Sequence, residues 1–499
     1  MGAPTPPIAF GVDAGAVIAR PGAAASVDVS DAVLQRLRSD CSEVITDAGT
    51  RAEASRDWWP VAMAWALQGH VPGLAAVVAR PHDVDEVASV LRIANEARIP
   101  VTAAGGRSGV TGASVPIHGG ILLDMTAMAG VVSVDDTDLV VDVRPGTFGD
   151  ELEHALRAEH GVTVGHWPQS IALSTVGGWL ACRGAGQLSN RYGKIEDMVV
   201  GLDVVLADGT RLSTGGQARA SVGPDLTQLL VGSEGTLGII TGARLRVHPA
   251  PAVSRQAAFC FETFVTANDA CRRILRRGGR PAVLRAYDET ESVRSCGVGG
   301  TNVLLVLDEG DAVLVEATMA MVRAECADAT ELDPALVDHW LAHRNEVSAL
   351  EALVRKGFVV DTMEITAPWS QVAAIYHEVC GALMAVPHAR AASAHQSHAY
   401  TDGACLYFTF GATPPPDEYD ATYRALWDAG TRAVLARGGS LSHHHGIGLN
   451  RARFVSEALG AGFDVLTALK AALDPVGILN PGKLGLASPW GPPGGPTWA

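Results

Sequence analysis

Three glycine-rich loops constrain this chain more than any other feature of its sequence. They span residues 105–112, 174–186 and 232–238, and the first follows a segment, 101–103, whose apolar pattern predicts a strand. Glycine lets backbone N–H groups come close to a ligand, and consecutive N–H groups can form a concave anion site. Any one of these segments could be a plain connecting loop. Together they predict one large ligand that carries several phosphate groups.

The usual nucleotide-binding motifs do not occur in the sequence. The chain has four lysines, at positions 194, 356, 470 and 483, and none of them completes a GxxxxGK[ST] loop. No GxGxxG motif follows a predicted strand, because the segment Gly446-Ile447-Gly448 lacks the third glycine. A P-loop is therefore excluded, and a Rossmann-type NAD site is not expected. GxSxG and HExxH motifs are also absent.

Charge and composition exclude further classes of protein. The net charge is −16, without the basic patch that a nucleic-acid partner would require. No apolar run reaches the roughly 18 residues of a transmembrane helix, and the N-terminus lacks the pattern of a secretory signal. The eight cysteines form no CxxC pair. These features lead us to expect a cytoplasmic protein with reduced thiols.

The spacing of apolar residues predicts helices and strands in mixed order. A capping box of Asp83 and Glu86 begins the clearest helix, which ends before Pro100. Further helices are expected at 148–160, 311–325, 418–436 and 463–473, and strands at 74–79, 101–103, 120–125, 138–143, 198–206, 237–247, 302–307 and 405–410. The prolines at 249 and 251 indicate a linker.

A run of three histidines, His443, His444 and His445, lies between glycines near the C-terminus. In a strand, the first and third side chains would share one face and the second would point the opposite way, whereas a loop imposes less constraint. A packed or exposed histidine cluster is one interpretation. A metal site is another, with His395 and His398 as possible further ligands.

Several segments resemble the vanillyl-alcohol oxidase (PCMH-type) flavoproteins that bind FAD, most closely the alkyldihydroxyacetonephosphate synthase (alkylglycerone-phosphate synthase) branch. They are STVGGW at 174–179, YGKIED at 192–197, GSEGTLG at 232–238, APW at 367–369, GACLYF at 403–408 and GSLSHHHG at 439–446. The resemblance runs from about residue 55 to residue 485. It implies an α+β fold: a PCMH-type FAD-binding domain of two subdomains, and a cap domain with a central antiparallel sheet.

The resemblance also implies an order of domains along the chain. We expect an N-terminal arm and helical lead-in at 1–72 and the FAD-binding domain at 73–250. A substrate or cap domain of the FAD-linked oxidase C-terminal type follows at 251–440, and a C-terminal return with the histidine run occupies 441–499.

FAD is the cofactor that the resemblance implies. The backbone amides of 105–109 would hold its pyrophosphate, and residues 174–178 with Ile240 would line the remainder. The expected cofactor-binding residues are Ala104, Gly105, Gly106, Arg107, Ser108, Gly109, Pro168, Ser174, Thr175, Gly177, Gly178, Glu234, Gly235, Gly238 and Ile240. Covalent relatives carry a histidine in the first loop or a cysteine in the second region. This chain has Arg107 and Ser108, and residues 168–170, at these places. Non-covalent FAD is expected.

By the same resemblance, the catalytic residues are Tyr407, His443, His444, His445 and Arg285, and no metal is expected. Tyr407 would act as a base, with the neighbouring histidines lowering its pKa from about 10. Arg285 and His395 would bind the substrate, although Arg285 could instead be an ordinary strand arginine paired with a carboxylate. His395 replaces a family arginine near the substrate phosphate, and an imidazole is a weaker, pH-dependent partner.

The reaction implied is the exchange of the acyl group of acyl-dihydroxyacetone phosphate for a long-chain alcohol, in ether-lipid synthesis. It would proceed through an adduct at flavin N5, without net electron transfer. The alternative is an FAD-dependent dehydrogenase or oxidase of 2-hydroxyacids such as D-lactate or glycolate. That class shows GEHGIG where this chain has residues 443–448, and a GHxGDGNxH metal segment at 397–404. A non-catalytic flavin-binding protein is a third possibility.

The expected partners follow from these functions. The substrate would be a small molecule or a lipid, and the resemblance implies a homodimer. A lipid substrate would allow peripheral contact with a membrane, although no basic amphipathic helix supports such contact.

Overall fold

The N-terminal segment contributes short elements that pack around the rest of the chain. The computed structural model describes residues 8–346 and 349–491. The segment holds strands β1 (Ile18–Ala19), β2 (Glu43–Ile45) and β3 (His70–Val71), and helices α1 (Asp31–Asp40), α2 (Ala48–Ala54) and α3 (Pro60–Ala66). Trp59 and Trp65 meet edge to face with ring centroids 5.5 Å apart, and both are buried. The tryptophans of this segment therefore belong to the core.

The first subdomain of the expected FAD-binding domain is a four-stranded sheet in the order β2-β4-β6-β5. Its elements are β4 (Val77–Arg80), α4 (Val84–Ala97), β5 (Val101–Ala104) and β6 (Ile121–Asp124). The Asp83 carboxylate caps α4 by accepting the Glu86 N–H, as the sequence predicts. Strands β4, β5 and β6 are parallel, whereas β2 is antiparallel to β4, so the lead-in supplies an edge strand. The loop 105–112 leaves the carboxyl end of β5, where open α/β sheets bind ligands.

The second subdomain is an antiparallel sheet in the order β11-β10-β12-β8-β7. Its elements are β7 (Val131–Asp135), β8 (Val140–Val143), α5 (Gly149–Ala155), β9 (Val162–Thr163), α6 (Val176–Cys182), α7 (Ser189–Tyr192), α8 (Ile195–Met198), β10 (Val199–Val205), β11 (Arg211–Gly215), α9 (Leu226–Leu230), β12 (Ile239–Arg246) and β13 (His248–Pro249). The helix predicted for 148–160 is α5 followed by a π-helical turn, Leu156–His160. The sequence prediction missed β7, because it is a partly exposed edge strand with no buried residue.

The cap domain is built on a seven-stranded antiparallel sheet in the order β17-β14-β16-β15-β19-β20-β18. Its elements are β14 (Val253–Phe261), α10 (Phe264–Arg276), β15 (Val283–Tyr287), α11 (Glu289–Cys296), β16 (Asn302–Gly310), α12 (Ala312–Glu325), β17 (Thr330–Leu332), α13 (Ala335–His343), α14 (Ala349–Arg355), β18 (Val359–Pro368), α15 (Trp369–Met384), β19 (Ala389–Ala399), β20 (Gly403–Ala412) and α16 (Tyr419–Ala436). Large side chains such as Phe408, Phe410 and Trp427 are fully buried there. The predicted α+β fold, with an antiparallel cap sheet, is confirmed.

The C-terminal return brings the chain from the cap back to the FAD-binding domain. Residues 437–451 form a loop without regular helix or strand, and α17 (Val455–Leu459) and α18 (Gly462–Leu473) follow. Val101 of β5 then exchanges backbone hydrogen bonds of 2.8 Å with Ile478 and Asn480. The histidine run therefore lies between the two domains. Among the described helices, none has both the length and the apolar character needed to cross a membrane.

Candidate functional site

A cavity of about 830 Å³ lies between the glycine-rich loops and the cap sheet. All fifteen predicted cofactor-binding residues line it, from Ala104 to Ile240, so folding brings the three loops to one place. On the cap side it is lined by Arg285 of β15, His395 of β19 and Tyr407 of β20. His444 and His445 also line it, whereas His443 lies behind them.

The first two loops contact each other too closely for side chains at the glycines. A Cβ at Gly106 would lie 1.9 Å from the Leu173 carbonyl oxygen, and one at Gly105 would lie 2.2 Å from Thr175 Oγ1. In residues 8–346 and 349–491, the N–H groups of Gly106, Ser108 and Gly109 have no acceptor. Unpartnered amides at these neighbouring positions beside a cavity suit an anion such as the pyrophosphate of FAD.

His166 is a cavity residue that the sequence did not single out. It is fully buried, packs on Trp179 at 4.5 Å between ring centroids, and finds no hydrogen-bond partner for either ring nitrogen among the described residues. Burial lowers its pKa to about 3, so the ring is neutral. A buried polar group without a partner is costly, and a polar cofactor would supply one. Its only sequence signal was a histidine within an otherwise apolar segment.

A buried glutamate on β18 fixes the loop of the histidine run. Glu364 Oε1 accepts the N–H groups of His443, His444 and His445 at 3.2, 3.0 and 2.7 Å, and Oε2 forms an ion pair with Arg451. Burial alone would raise the pKa of Glu364, but the charge of Arg451 and the hydrogen bonds from the Arg451 and Ser442 side chains hold it well below the ordinary value. The run is therefore a loop wrapped around a carboxylate, which decides between the loop and strand alternatives.

A second glutamate, from the FAD-binding domain, fixes the next residues of the same loop. Glu234 lies in the third glycine-rich loop with a left-handed φ of 49°, and its carboxylate accepts the N–H groups of Ile447 at 2.6 Å and Gly448 at 2.9 Å. The sequence placed Glu234 among the cofactor-binding residues. It does line the cavity, but its carboxylate positions the histidine loop.

Tyr407 lies on the cap wall of the cavity. It pairs with His395 on one neighbouring strand and with Glu364 on the other, and its ring stacks on His395 at 4.8 Å. Its hydroxyl lies 3.0 Å from Thr362 Oγ1. Burial raises the pKa of Tyr407 to about 12, and burial also lowers the pKa of His444 and His445. Burial thus acts in the direction opposite to the expected lowering of the tyrosine pKa, with neutral histidines beside a protonated phenol. The role of Tyr407 as a base stays a prediction.

Arg285 and His395 form a hydrogen-bonded pair beside Tyr407. Arg285 donates from Nε to the Tyr287 hydroxyl at 2.7 Å and from NH2 to His395 Nε2 at 2.6 Å. Because Arg285 has only donors, His395 Nε2 accepts, and the ring proton is on Nδ1, 3.6 Å from Glu291. Burial and the arginine charge lower the pKa of His395 to about 4. Arg285 is a cation on this wall, and it has no carboxylate partner among the described residues.

The remaining histidines form a packed cluster. His398, His443 and His444 each offer one ring nitrogen within 4.8 Å of the others. However, the rings of His398 and His443 stack at an interplanar angle of 27°, so their in-plane lone pairs do not converge on one point, and His443 Nδ1 already lies 2.9 Å from His444 Nδ1. The prediction of no metal stays a prediction.

Comparisons with known proteins identify two matching family models. A model described as an FAD binding domain matches residues 75–215, and one described as the C-terminal domain of FAD linked oxidases matches residues 250–484. Together they span the glycine-rich loops, the cap sheet and the histidine run.

Individual proteins match over most of their length. The uncharacterised FAD-linked oxidoreductase YgcU of Escherichia coli O157:H7 is 31% identical over 433 residues, covering 82% of this chain and 89% of that protein. The alkyldihydroxyacetonephosphate synthase of Dictyostelium discoideum is 29% identical over 456 residues, covering 83% and 74%. A solved structure of an alkyldihydroxyacetonephosphate synthase superposes with a TM-score of 0.77 at 25% identity, covering 93% of this chain and 89% of that one.

Proposed function

Since this chain belongs to the FAD-linked oxidase family and has FAD as its cofactor, we propose that it exchanges the acyl group of acyl-dihydroxyacetone phosphate for a long-chain alcohol. FAD, when bound, supplies an electron sink to the reaction. The amides of the first loop would hold its pyrophosphate, and His166 would meet one of its polar groups.

The amphiphilic lining of the cavity is the observation that carries this proposal. Arg285 offers guanidinium donors beside Tyr407, which suits a phosphate group. The apolar side chains of Trp340, Leu350 and Leu353 line the same cavity, and they suit a hydrocarbon chain. A substrate with an anionic head and a long apolar tail matches both walls, whereas a small hydroxyacid uses only the first.

The protonation states give Tyr407 a specific role. Since its phenol is neutral, it donates a hydrogen bond or a proton to the substrate, and the neutral imidazoles around it are the groups able to accept one. Arg285 would orient the phosphate end, with His395 held in a fixed tautomer behind it.

A 2-hydroxyacid oxidase or dehydrogenase is the second candidate. The observation in its favour is that Arg285, free of a carboxylate partner within the described residues, suits a substrate carboxylate as well as a phosphate.

The test is a titration of the FAD-loaded protein with palmitoyl-dihydroxyacetone phosphate and hexadecanol, and separately with D-lactate and glycolate. We expect the lipid substrate to bleach the flavin absorbance without oxygen consumption, and the alkyl ether and free fatty acid to form. Lasting flavin reduction or stoichiometric peroxide with a hydroxyacid, and no ether product, would refute the exchange reaction. Tyr407→Phe should retain FAD but lose the bleaching. Tyr419→Phe, which removes a hydroxyl bonded to the Phe358 carbonyl outside the cavity, is the matched control.

A further inference from the structure

A continuous chain of hydrogen bonds links two cavity-lining histidines through the protein interior. His444 Nδ1 lies 2.9 Å from His443 Nδ1, and His443 Nε2 lies 2.8 Å from the Tyr400 hydroxyl. That hydroxyl lies 3.3 Å from Ser189 Oγ, which lies 2.7 Å from His398 Nδ1. We call these five residues the imidazole–hydroxyl chain.

The two ends of this chain reach the cavity and its three middle members do not. His444 and His398 line the cavity, whereas His443, Tyr400 and Ser189 are absent from its lining. Within the part of the protein that the structure describes, Nε2 of His444 and Nε2 of His398 make no hydrogen bond. The end rings lie close together, with centroids 5.2 Å apart, so both can meet one bound substrate.

Each member of the chain can donate and accept a hydrogen bond. Burial lowers the pKa of His398, His443 and His444, so the imidazoles are neutral and carry one hydrogen each. In one arrangement, every member donates towards His398, whose Nε2–H points away from the chain. In the other, every bond is reversed and His444 Nε2 carries the outward hydrogen. The two arrangements differ only in the positions of hydrogens, and neither leaves a charge in the interior.

The surrounding residues hold the chain in place without entering it. Lys194 Nζ donates to the backbone carbonyl of His443 at 2.7 Å, and Glu364 accepts the N–H groups of His443 and His444. The N–H of Ala399, next to His398, donates to Asn190 Oδ1 at 3.0 Å. The imidazole–hydroxyl chain therefore joins helix α7 of the FAD-binding domain to the cap and to the histidine loop.

We propose that the imidazole–hydroxyl chain is a proton relay for the exchange reaction, an inference that rests on the proposed function. The alcohol loses its O–H proton to His444 Nε2. Each N–H or O–H bond along the chain then breaks and re-forms one position further on, and His398 Nε2–H gives its proton to the departing carboxylate. One proton enters and one leaves, with no electron transferred. Water in the emptied cavity returns the hydrogens to their first arrangement by the reverse passage.

In this relay, Tyr400 and Ser189 are positioning residues that act through the two end histidines. Tyr400→Phe and Ser189→Ala each remove one hydroxyl from the chain and leave the cavity lining intact. Each variant should bind FAD and substrate as the wild type does, with KM unchanged, while kcat falls by about 100-fold or more. Ser189→Thr keeps a hydroxyl and should recover most of the kcat. Tyr419→Phe is the matched tyrosine control and should match the wild type.

The double variant separates a relay from two independent structural effects. If both hydroxyls belong to one path, Tyr400→Phe combined with Ser189→Ala should be no slower than either single variant, because the path is already cut. Multiplied losses in the double variant, or full kcat in Tyr400→Phe, would overturn the relay. Flavin absorbance and thermal unfolding verify that each variant is folded and loaded.

A measurement without turnover keeps the relay testable if the proposed reaction is wrong. In the FAD-loaded protein with ¹⁵N-labelled histidine, the relay predicts neutral imidazoles of His398 and His443 that exchange between two tautomers, and Tyr400→Phe should alter both signals. Single fixed tautomers, unchanged in Tyr400→Phe, would overturn it. Stoichiometric metal in the purified protein, removed by a chelator with change of these signals, would also overturn it, because the nitrogens would then be ligands. If the tautomers interconvert as expected but the protein does not catalyse the acyl-for-alkyl exchange, only the proposed function would be refuted.

Discussion

Replacement of the buried carboxylate beneath the histidine loop should release that loop. In Glu364→Gln, the volume of the side chain is kept and its charge is lost. Glu364 is fully buried, receives three consecutive backbone N–H groups and the Ser442 hydroxyl, and pairs with Arg451, which is 1% exposed. Loss of one partner from a buried ion pair costs about 3–5 kcal/mol. The NH2 group of the glutamine would also face groups that are themselves hydrogen-bond donors.

Hydrogen exchange at the loop measures this cost directly. At about 1.4 kcal/mol per tenfold change, the amides of 443–445 should exchange roughly 100- to 4,000-fold faster in the variant. Peptides covering the loop, analysed by mass spectrometry in the FAD-loaded protein, give the rates. Glu457→Gln, which breaks an exposed 3.5 Å pair with Arg432, should leave these rates unchanged.

The same variant has a distinct pH dependence. The pKa of Glu364 is held below its ordinary value of 4.5, so its stabilisation is complete above that value and is lost as the pH falls through the lower, folded-state pKa. The difference in unfolding temperature between the wild type and Glu364→Gln should therefore shrink in acid. Equal protection of residues 443–445 in both proteins at neutral pH would refute our account of how the loop is held.

Three further predictions concern the cavity. Gly106→Ala should lose FAD on purification, seen as lost flavin absorbance, because its Cβ would lie 1.9 Å from the Leu173 carbonyl; Gly381→Ala, in open space, should not. Arg285→Lys should raise KM about tenfold or more with little change in unfolding temperature, since lysine lacks the planar fork of donors. His395 alone should cost the wild type up to about 3 kcal/mol of stability as the pH falls from 6.5 to about 4, because its ring binds a proton only in the unfolded chain; His395→Gln should make the decline shallower by that amount in chemical denaturation.

The sequence predicted the features that depend on local pattern. The capping box of Asp83 and Glu86 predicts α4, and apolar runs predict the cap strands β16 and β20. The glycines predict the loops that meet at the cavity. Features set by distant residues could not be predicted. The protonation of Tyr407 depends on its burial between two neighbouring strands, and the partnerless state of His166 depends on what surrounds it in three dimensions.

The imidazole–hydroxyl chain illustrates the same limit. Ser189 and Tyr400 are 211 positions apart in the sequence, and neither belongs to a motif that indicates proton transfer. Their relation appears only when α7 of the FAD-binding domain packs against the end of β19 in the cap.

The conformation of the histidine loop is held by one carboxylate from each of the two domains. Glu364 belongs to the cap and holds residues 443–445, whereas Glu234 belongs to the FAD-binding domain and holds residues 447–448. Neither domain alone can give the loop its shape, so its final conformation forms only after both have folded and docked. Both carboxylates precede the loop in the sequence, so they are already synthesised when the loop emerges from the ribosome. If either domain were unfolded, or if the two had not docked, residues 443–448 would therefore not adopt the conformation described above.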